Sequence, residues 1–304
     1  MVVLLLSACT LGLDPYGDTA GLGDTDVQDD DTSDPVDTVD DSGNVPATGL
    51  VGGLVEMSRL QVACPACFGA SSDMLVSASA AFHEPASQTW FGGYADRGSC
   101  AVNRVGSPPT TPRLDVGDWV YLTSGSTSIG LRRTVGASGV MYTADNLAEA
   151  DFRSTAAYGL SAPDGGDLGP LDVSDAVTTP QGFTSITPAE LLYTNANAAF
   201  SAPLYRNGSN VFTWSGSGGS GDFVVQIDVY DPNGSALVAT VACRGPDNGA
   251  MTVPGSMLAA YPAYSLLAVY LYRLELGGFV LDANGATVET SAIVGVIGTG
   301  YLEP

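Results

Sequence analysis

Four cysteines have the spacing in this chain that points most directly to chemistry. Cys64 and Cys67 form a C-x-x-C pair, and Cys100 and Cys243 follow at long intervals. Such a pair serves redox chemistry when its first thiolate lies at a helix N-terminus, and four thiols can also ligate zinc. The residues after Cys67 make a poor helix start, and only one pair has ligand spacing. We therefore take all four, Cys64, Cys67, Cys100 and Cys243, as candidates for structural disulfides. The bridge is either local to the C-P-A-C loop or joins one of its sulfurs to Cys100, and the alternative for Cys243 is a buried thiol on the apolar face of its strand.

Hydrolytic chemistry finds little support in the sequence. His83 is the single histidine, so a Ser-His-Asp triad would have to use it, and its strand pattern predicts a surface or loop position. Glycoside hydrolysis needs two carboxyl groups that flank the substrate. No spacing singles out a pair among four candidates, which are Glu56, Glu84, Asp96 and Asp118. An enzyme, either a carboxylate-based hydrolase or a Cys64/Cys67 redox protein, is the alternative interpretation. We predict no catalytic residue, no metal site and no cofactor.

An aromatic segment is the best ligand-binding candidate in the sequence. Trp90, Phe91 and Tyr94 lie in a polar, glycine-containing stretch that follows a predicted strand. Exposed rings in loops on a rigid β-scaffold can stack on sugars or on peptide side chains. The alternative is that these rings fold back and cover an edge of the core. We take the three residues as candidates for binding a glycan or an envelope protein. A purely structural role at the cell surface is a further interpretation.

The N-terminus carries a localisation signal. The apolar run Met1–Leu6 leads into Leu6-Ser7-Ala8-Cys9, which resembles the lipobox of bacterial lipoproteins. The resemblance implies cleavage before Cys9 and lipidation of this cysteine, which anchors the protein in a membrane. The run lacks a charged segment before it, so residues 1–8 are interpreted as a truncated signal segment. Thr10, rather than Asp, implies the outer membrane or the cell surface.

Charge separates the chain into a linker and a folded region. Residues 9–47 contain eleven Asp and no Lys or Arg, a composition typical of a disordered linker. A flexible chain of this length spans on the order of 30–35 Å. The whole chain carries a net charge of −23, and 22 of its 33 acidic residues lie beyond the linker against ten arginines, which leaves −12 there. Nucleic-acid phosphates require a basic surface, so we predict no nucleic-acid partner.

The residues after the linker alternate with the period of two that β-strands have. In Phe223–Tyr230 the odd-numbered residues are apolar, and the turn at Asp231–Gly234 leads into a second alternating run at Leu237–Cys243, which predicts a hairpin. Only single turns, such as Thr187–Glu190, indicate helix. Further strands are predicted at Met74–Phe82, Trp119–Thr123, Ile129–Arg133, Asn210–Ser215, Leu266–Arg273, Gly278–Leu281 and Ile293–Leu302.

These patterns predict an all-β protein with immunoglobulin-like or fibronectin-like antiparallel sandwiches, two in tandem after the acidic tether. We place a β-rich domain at residues 48–204 and a β-sandwich domain at residues 205–304.

Several short motifs in this region resemble uncharacterised acidic lipoproteins of deltaproteobacterial or myxobacterial type. They are Phe212-Thr213-Trp214, Val241-Ala242-Cys243 and Asp247-Asn248-Gly249, with looser counterparts at Ser99–Val102 and Leu114–Gly117. The motifs are turns and core positions. The resemblance therefore implies location and fold, and it implies no chemistry.

Overall fold

The computed structural model describes residues 49–104, 109–144, 147–182, 185–193, 200–215 and 221–304. The predicted signal segment, Cys9 and the whole of the predicted acidic linker lie outside these ranges. Within them the chain is nearly all β, which confirms the predicted all-β sandwich class. None of the helices in the described ranges is long and apolar enough to cross a membrane.

The described residues form seventeen strands and a few helical turns. The strands are β1 (Val51–Val62), β2 (Met74–Ala86), β3 (Ser99–Val102), β4 (Arg113–Leu114), β5 (Trp119–Ser124), β6 (Thr127–Gly136), β7 (Gly139–Ala144), β8 (Ala157–Ala162), β9 (Leu171–Thr178), β10 (Ile186–Thr187), β11 (Ala202–Leu204), β12 (Ser209–Trp214), β13 (Asp222–Tyr230), β14 (Leu237–Pro246), β15 (Ala250–Pro254), β16 (Leu266–Val280) and β17 (Thr287–Leu302). The α-helix α1 spans Pro65–Phe68, and 3₁₀ turns span Trp90–Gly93, Glu149–Asp151, Gly166–Leu168, Ala189–Leu192 and Gly255–Met257.

One large sheet contains most of these strands. Its order is β3-β14-β13-β16-β17-β1-β2-β7-β6-β5-β8-β9, with β11 added beside β17 and β4 beside β2. Strands β1 and β11 pair in parallel with β17. A second, small sheet has the order β10-β12-β15. Because β1 lies between β17 and β2, and β3 pairs with β14, strands from both sides of the predicted boundary at residue 204 share one sheet.

The central strands β16 and β17 are longer than the sequence pattern predicts. Glycines and hydroxyl residues interrupt the alternation, so Gly278–Leu281 and Ile293–Leu302 are predicted as separate short strands. In the structure the register runs without a break from Leu266 opposite Tyr301 to Val280 opposite Thr287. The two strands form one long hairpin in which β17 is almost completely buried, and β16 is buried from Leu267 to Leu274.

Two apolar cores lie on the inner face of the large sheet. In the first, strands β5 to β9 curl back so that β9 packs across β1, β16 and β17, and Phe82, Leu122 and Tyr158 fill the space between them. In the second, the small sheet packs on β13, β14, β16 and β17 through Phe212 and Trp214. Each half of the molecule is therefore a layered β-structure, and the shared strands β16, β17 and β1 connect the halves.

Candidate functional site

The aromatic segment proposed for ligand binding packs against the outer side of the central strands. Trp90 and Tyr94 are each only 5% exposed, and Phe91 is half-buried. Of the two interpretations, exposed rings or rings folded back on the core, the second holds for Trp90 and Tyr94. Their apolar surface is large, and polar groups beneath the segment accept the backbone and indole N–H of Trp90. The three rings cover the sheet instead of offering a stacking surface.

Glu289 and His83 supply these polar groups. The Glu289 carboxylate, on β17, accepts hydrogen bonds from the backbone N–H of Trp90 at 2.7 Å and from the Thr89 hydroxyl. The indole N–H of Trp90 donates to Nε2 of His83 at 3.1 Å, and the Arg113 guanidinium lies 4.7 Å from the centre of the indole ring. Burial raises the pKa of Glu289, and these hydrogen bonds act in the opposite direction. The segment is thus held by residues distant in sequence.

His83 is fully buried, so its predicted surface position is wrong. Its Nδ1 lies 2.7 Å from the carbonyl oxygen of Glu84, which requires a proton on Nδ1 and leaves Nε2 free to accept from Trp90. Burial lowers the pKa of the imidazole. The imidazole is thus neutral and hydrogen-bonded at both ring nitrogens, which fits a structural role. Among the described residues, the hydrogen-bond partners of the ring include neither a serine nor a carboxylate.

All four cysteines beyond the linker form disulfides. Cys64 bonds Cys67, which confirms the local bridge, and Cys100 bonds Cys243 across the register of β3 and β14. Cys243 is thus one of the predicted disulfide cysteines and not a buried free thiol, because β3 leaves the N-terminal half and pairs with β14 at this position. Cys64 is only 1% exposed at the start of the four-residue helix α1. This burial fits a structural bridge better than a sulfur that exchanges with a substrate.

The four carboxyl groups considered for hydrolysis have different environments. Burial raises the pKa of Glu56, on β1, to about 7, and the Ser291 hydroxyl donates to it at 3.1 Å. Glu84 and Asp118 are exposed, and Asp96 forms an exposed ion pair with Arg104. No group of three or more His, Cys, Asp or Glu side chains within the described ranges could hold a metal ion.

A different pair of aromatic residues is exposed, on the outer side of strands β5 and β6. Trp119 is 39% exposed, and Tyr121 is half-buried beside it, with the ring centres 6.2 Å apart and the planes 19° from parallel. Both rings lie over Gly130 of β6, where an added Cβ would meet the indole at 3.3 Å and the Tyr121 ring at 3.6 Å. The missing side chain lets the rings rest on the sheet and leaves indole surface open to solvent.

The residues around these rings are polar and small. Arg132 lies directly opposite Trp119, and Gly130 lies opposite Tyr121. Thr143 of β7 lies opposite Arg132, and Ser161 of β8 lies opposite Tyr121. Residues opposite each other in a ladder project from the same side of a sheet, so these side chains share one surface. We call the surface formed by Trp119, Tyr121, Gly130, Arg132, Thr143 and Ser161 the β5–β6 face.

The alternation of residues in β5 is a sequence signal for this face. Val120 and Leu122 alternate with Trp119 and Tyr121, and the valine and leucine are fully buried in the first core. Two large aromatic residues therefore occupy the side of the strand opposite to its core side. On that side Trp119 is exposed and Tyr121 is half-buried, so the pair offers ring surface that the core does not use.

A scan against models of known protein families and a search of curated proteins both find no match for the chain. A function for the chain is therefore argued from the chemistry of its described side chains.

Proposed function

We propose that the protein is a glycan-binding protein of the bacterial cell envelope, held to a membrane by lipid on Cys9 and presenting its β-domain on the acidic linker. The observation that carries the binding role is the Trp119–Tyr121 pair on the β5–β6 face. Its indole surface is exposed on a rigid sheet, and hydroxyl and guanidinium groups surround it.

Sugar rings have an apolar C–H surface and a polar hydroxyl rim. Aromatic rings that rest on a sheet stack on the C–H surface of a sugar. The surrounding side chains of Thr143, Ser161 and Arg132 can form hydrogen bonds with its hydroxyl groups. A sheet surface also costs little entropy on binding, because its strands are already ordered. These features favour an extended saccharide chain over a small molecule, which would require a concave pocket.

The binding role is tested with the full chain carrying Cys9→Ser, by affinity electrophoresis through gels that contain soluble polysaccharides. The chain should be retarded by at least one glycan, and the double variant Trp119→Ala/Tyr121→Ala should bind at least tenfold more weakly, because a stacked aromatic contact contributes about 1 kcal/mol or more. Tyr264→Ala removes a ring that is 61% exposed elsewhere and is the matched control. Absence of retardation by any glycan at millimolar saccharide would overturn the proposal.

The anchor is tested separately by detergent partitioning of the expressed chain. The wild type should enter the detergent phase, and Cys9→Ser should move to the aqueous phase because it lacks the acyl chains. A Cys9→Ser variant that stays in the membrane fraction would contradict lipid anchoring and leave the binding role to its own test.

A further inference from the structure

We infer that the β5–β6 face selects glycans that carry carboxylate groups, with Arg132 as the residue that pairs with the carboxylate. This inference rests on the proposed glycan-binding function and specifies its substrate class. Three observations support it: the partners of the ten arginine side chains, the position of Arg132, and the distribution of acidic residues around Arg132.

Nine of the ten arginines have a partner within the described ranges. Six form ion pairs with carboxylates, Arg113 lies over the Trp90 ring, and two donate to backbone carbonyls; these nine are Arg59, Arg97, Arg104, Arg113, Arg133, Arg153, Arg206, Arg244 and Arg273. The side chain of Arg132 is exposed and has no hydrogen-bond, ion-pair or ring partner among the residues that the structure describes. Among the ten arginines, Arg132 is therefore the one whose guanidinium is left open to a ligand.

The position of Arg132 fits a sugar acid stacked on the aromatic pair. Arg132 lies opposite Trp119 on the neighbouring strand, and neighbouring strands are about 4.8 Å apart. A sugar ring on the indole would therefore place a ring substituent within reach of the guanidinium. The planar guanidinium can donate two parallel hydrogen bonds to one carboxylate, which a hydroxyl group cannot accept in the same way.

The surrounding charge also favours an anionic group. Strands β5, β6, β7 and β8 contain no Asp or Glu. Asp172 of β9 lies opposite Ser161, at the edge of the face far from Arg132. Asp172 and Asp175 of β9 lie three strand spacings, or about 14 Å, from β6, the strand of Arg132. Asp118, just before β5, acts on Arg133. At physiological ionic strength the Debye length is about 8 Å, so the β9 carboxylates and the more distant charge of the chain are largely screened at Arg132.

The test compares two forms of one oligosaccharide, oligogalacturonate and its methyl ester, by titration calorimetry at 0.15 M salt with the full Cys9→Ser chain. We expect the acid form to bind about tenfold more tightly than the ester, which is typical of a charge-assisted bidentate contact. Arg132→Gln should remove this preference, so that the acid and the ester bind the variant with equal affinity. Arg104→Gln is the control, because it removes the same charge from an exposed arginine elsewhere.

The outcomes separate the two proposals. Equal binding of acid and ester by the wild type, or a preference that persists in Arg132→Gln, would overturn the role of Arg132 and leave glycan binding intact. Equally tight binding of dextran sulfate would show a general attraction of polyanions and would also overturn it. If neither oligosaccharide binds and the polysaccharide gels give no retardation, the proposed function itself fails.

Discussion

The disulfide between Cys100 and Cys243 should contribute far more to stability than the one between Cys64 and Cys67. The first joins residues 143 positions apart, and the second joins residues three positions apart. A cross-link stabilises the folded state by reducing the entropy of the unfolded chain, and this effect grows with the logarithm of the loop length. The relation gives about 5 kcal/mol for the long loop and about 2 kcal/mol for the short one at 25 °C.

The native structure adds a local reason for the same expectation. Strand β3 has four residues and pairs only with β14 among the described strands. The Cys100–Cys243 disulfide therefore holds β3 at that edge of the sheet. Without it, the β3 amides should exchange with solvent through local opening.

The assay is equilibrium unfolding in guanidinium chloride, with Cys100→Ala/Cys243→Ala compared with Cys64→Ala/Cys67→Ala. Each double variant removes the same atoms, and each pair includes one almost fully buried sulfur, Cys243 or Cys64. The long-loop variant should lose about 3 kcal/mol more than the short-loop variant. A loss no greater than that of the short-loop variant would refute the loop-entropy argument, and unchanged β3 exchange would refute the local one.

Two further predictions concern the buried titratable groups. Since the pKa of Glu56 is raised from 4.5 to about 7, the folded state keeps a proton that the unfolded state loses, and stability should fall by about 3 kcal/mol between pH 4.5 and 7. Glu56→Gln should remove this contribution, so the difference in unfolding free energy between the variant and the wild type should change between pH 4.5 and 7. A difference that stays constant over this pH range would contradict the burial of this carboxyl group. Trp90→Phe removes the donor to Nε2 of His83, which should cost about 1–3 kcal/mol and raise the pKa of the imidazole toward its ordinary value. The single histidine makes this shift directly measurable by NMR titration, and an unchanged pKa would show that the indole contact does not control the ring.

The sequence alone determined the features that depend on local patterns. The β class follows from side-chain alternation, because the period of two is a property of each strand by itself. The hairpin of β13 and β14 was predictable for the same reason, since its turn and both strands are contiguous. The composition of residues 9–47 predicts a linker without reference to any contact.

Only the tertiary structure decided which residues are exposed and which meet. Trp90 is buried because Glu289, 199 residues away, accepts its backbone N–H, and no local pattern contains that contact. Cys100 reaches Cys243 because β3 leaves the N-terminal half and joins the edge of a sheet formed by the C-terminal half. Trp119 stays exposed and Tyr121 half-buried because the second layer of the fold covers only the Val120 and Leu122 side of their strand. Burial is a property of the assembled sheets, and for that reason local alternation could not tell which aromatic residues the rest of the chain covers.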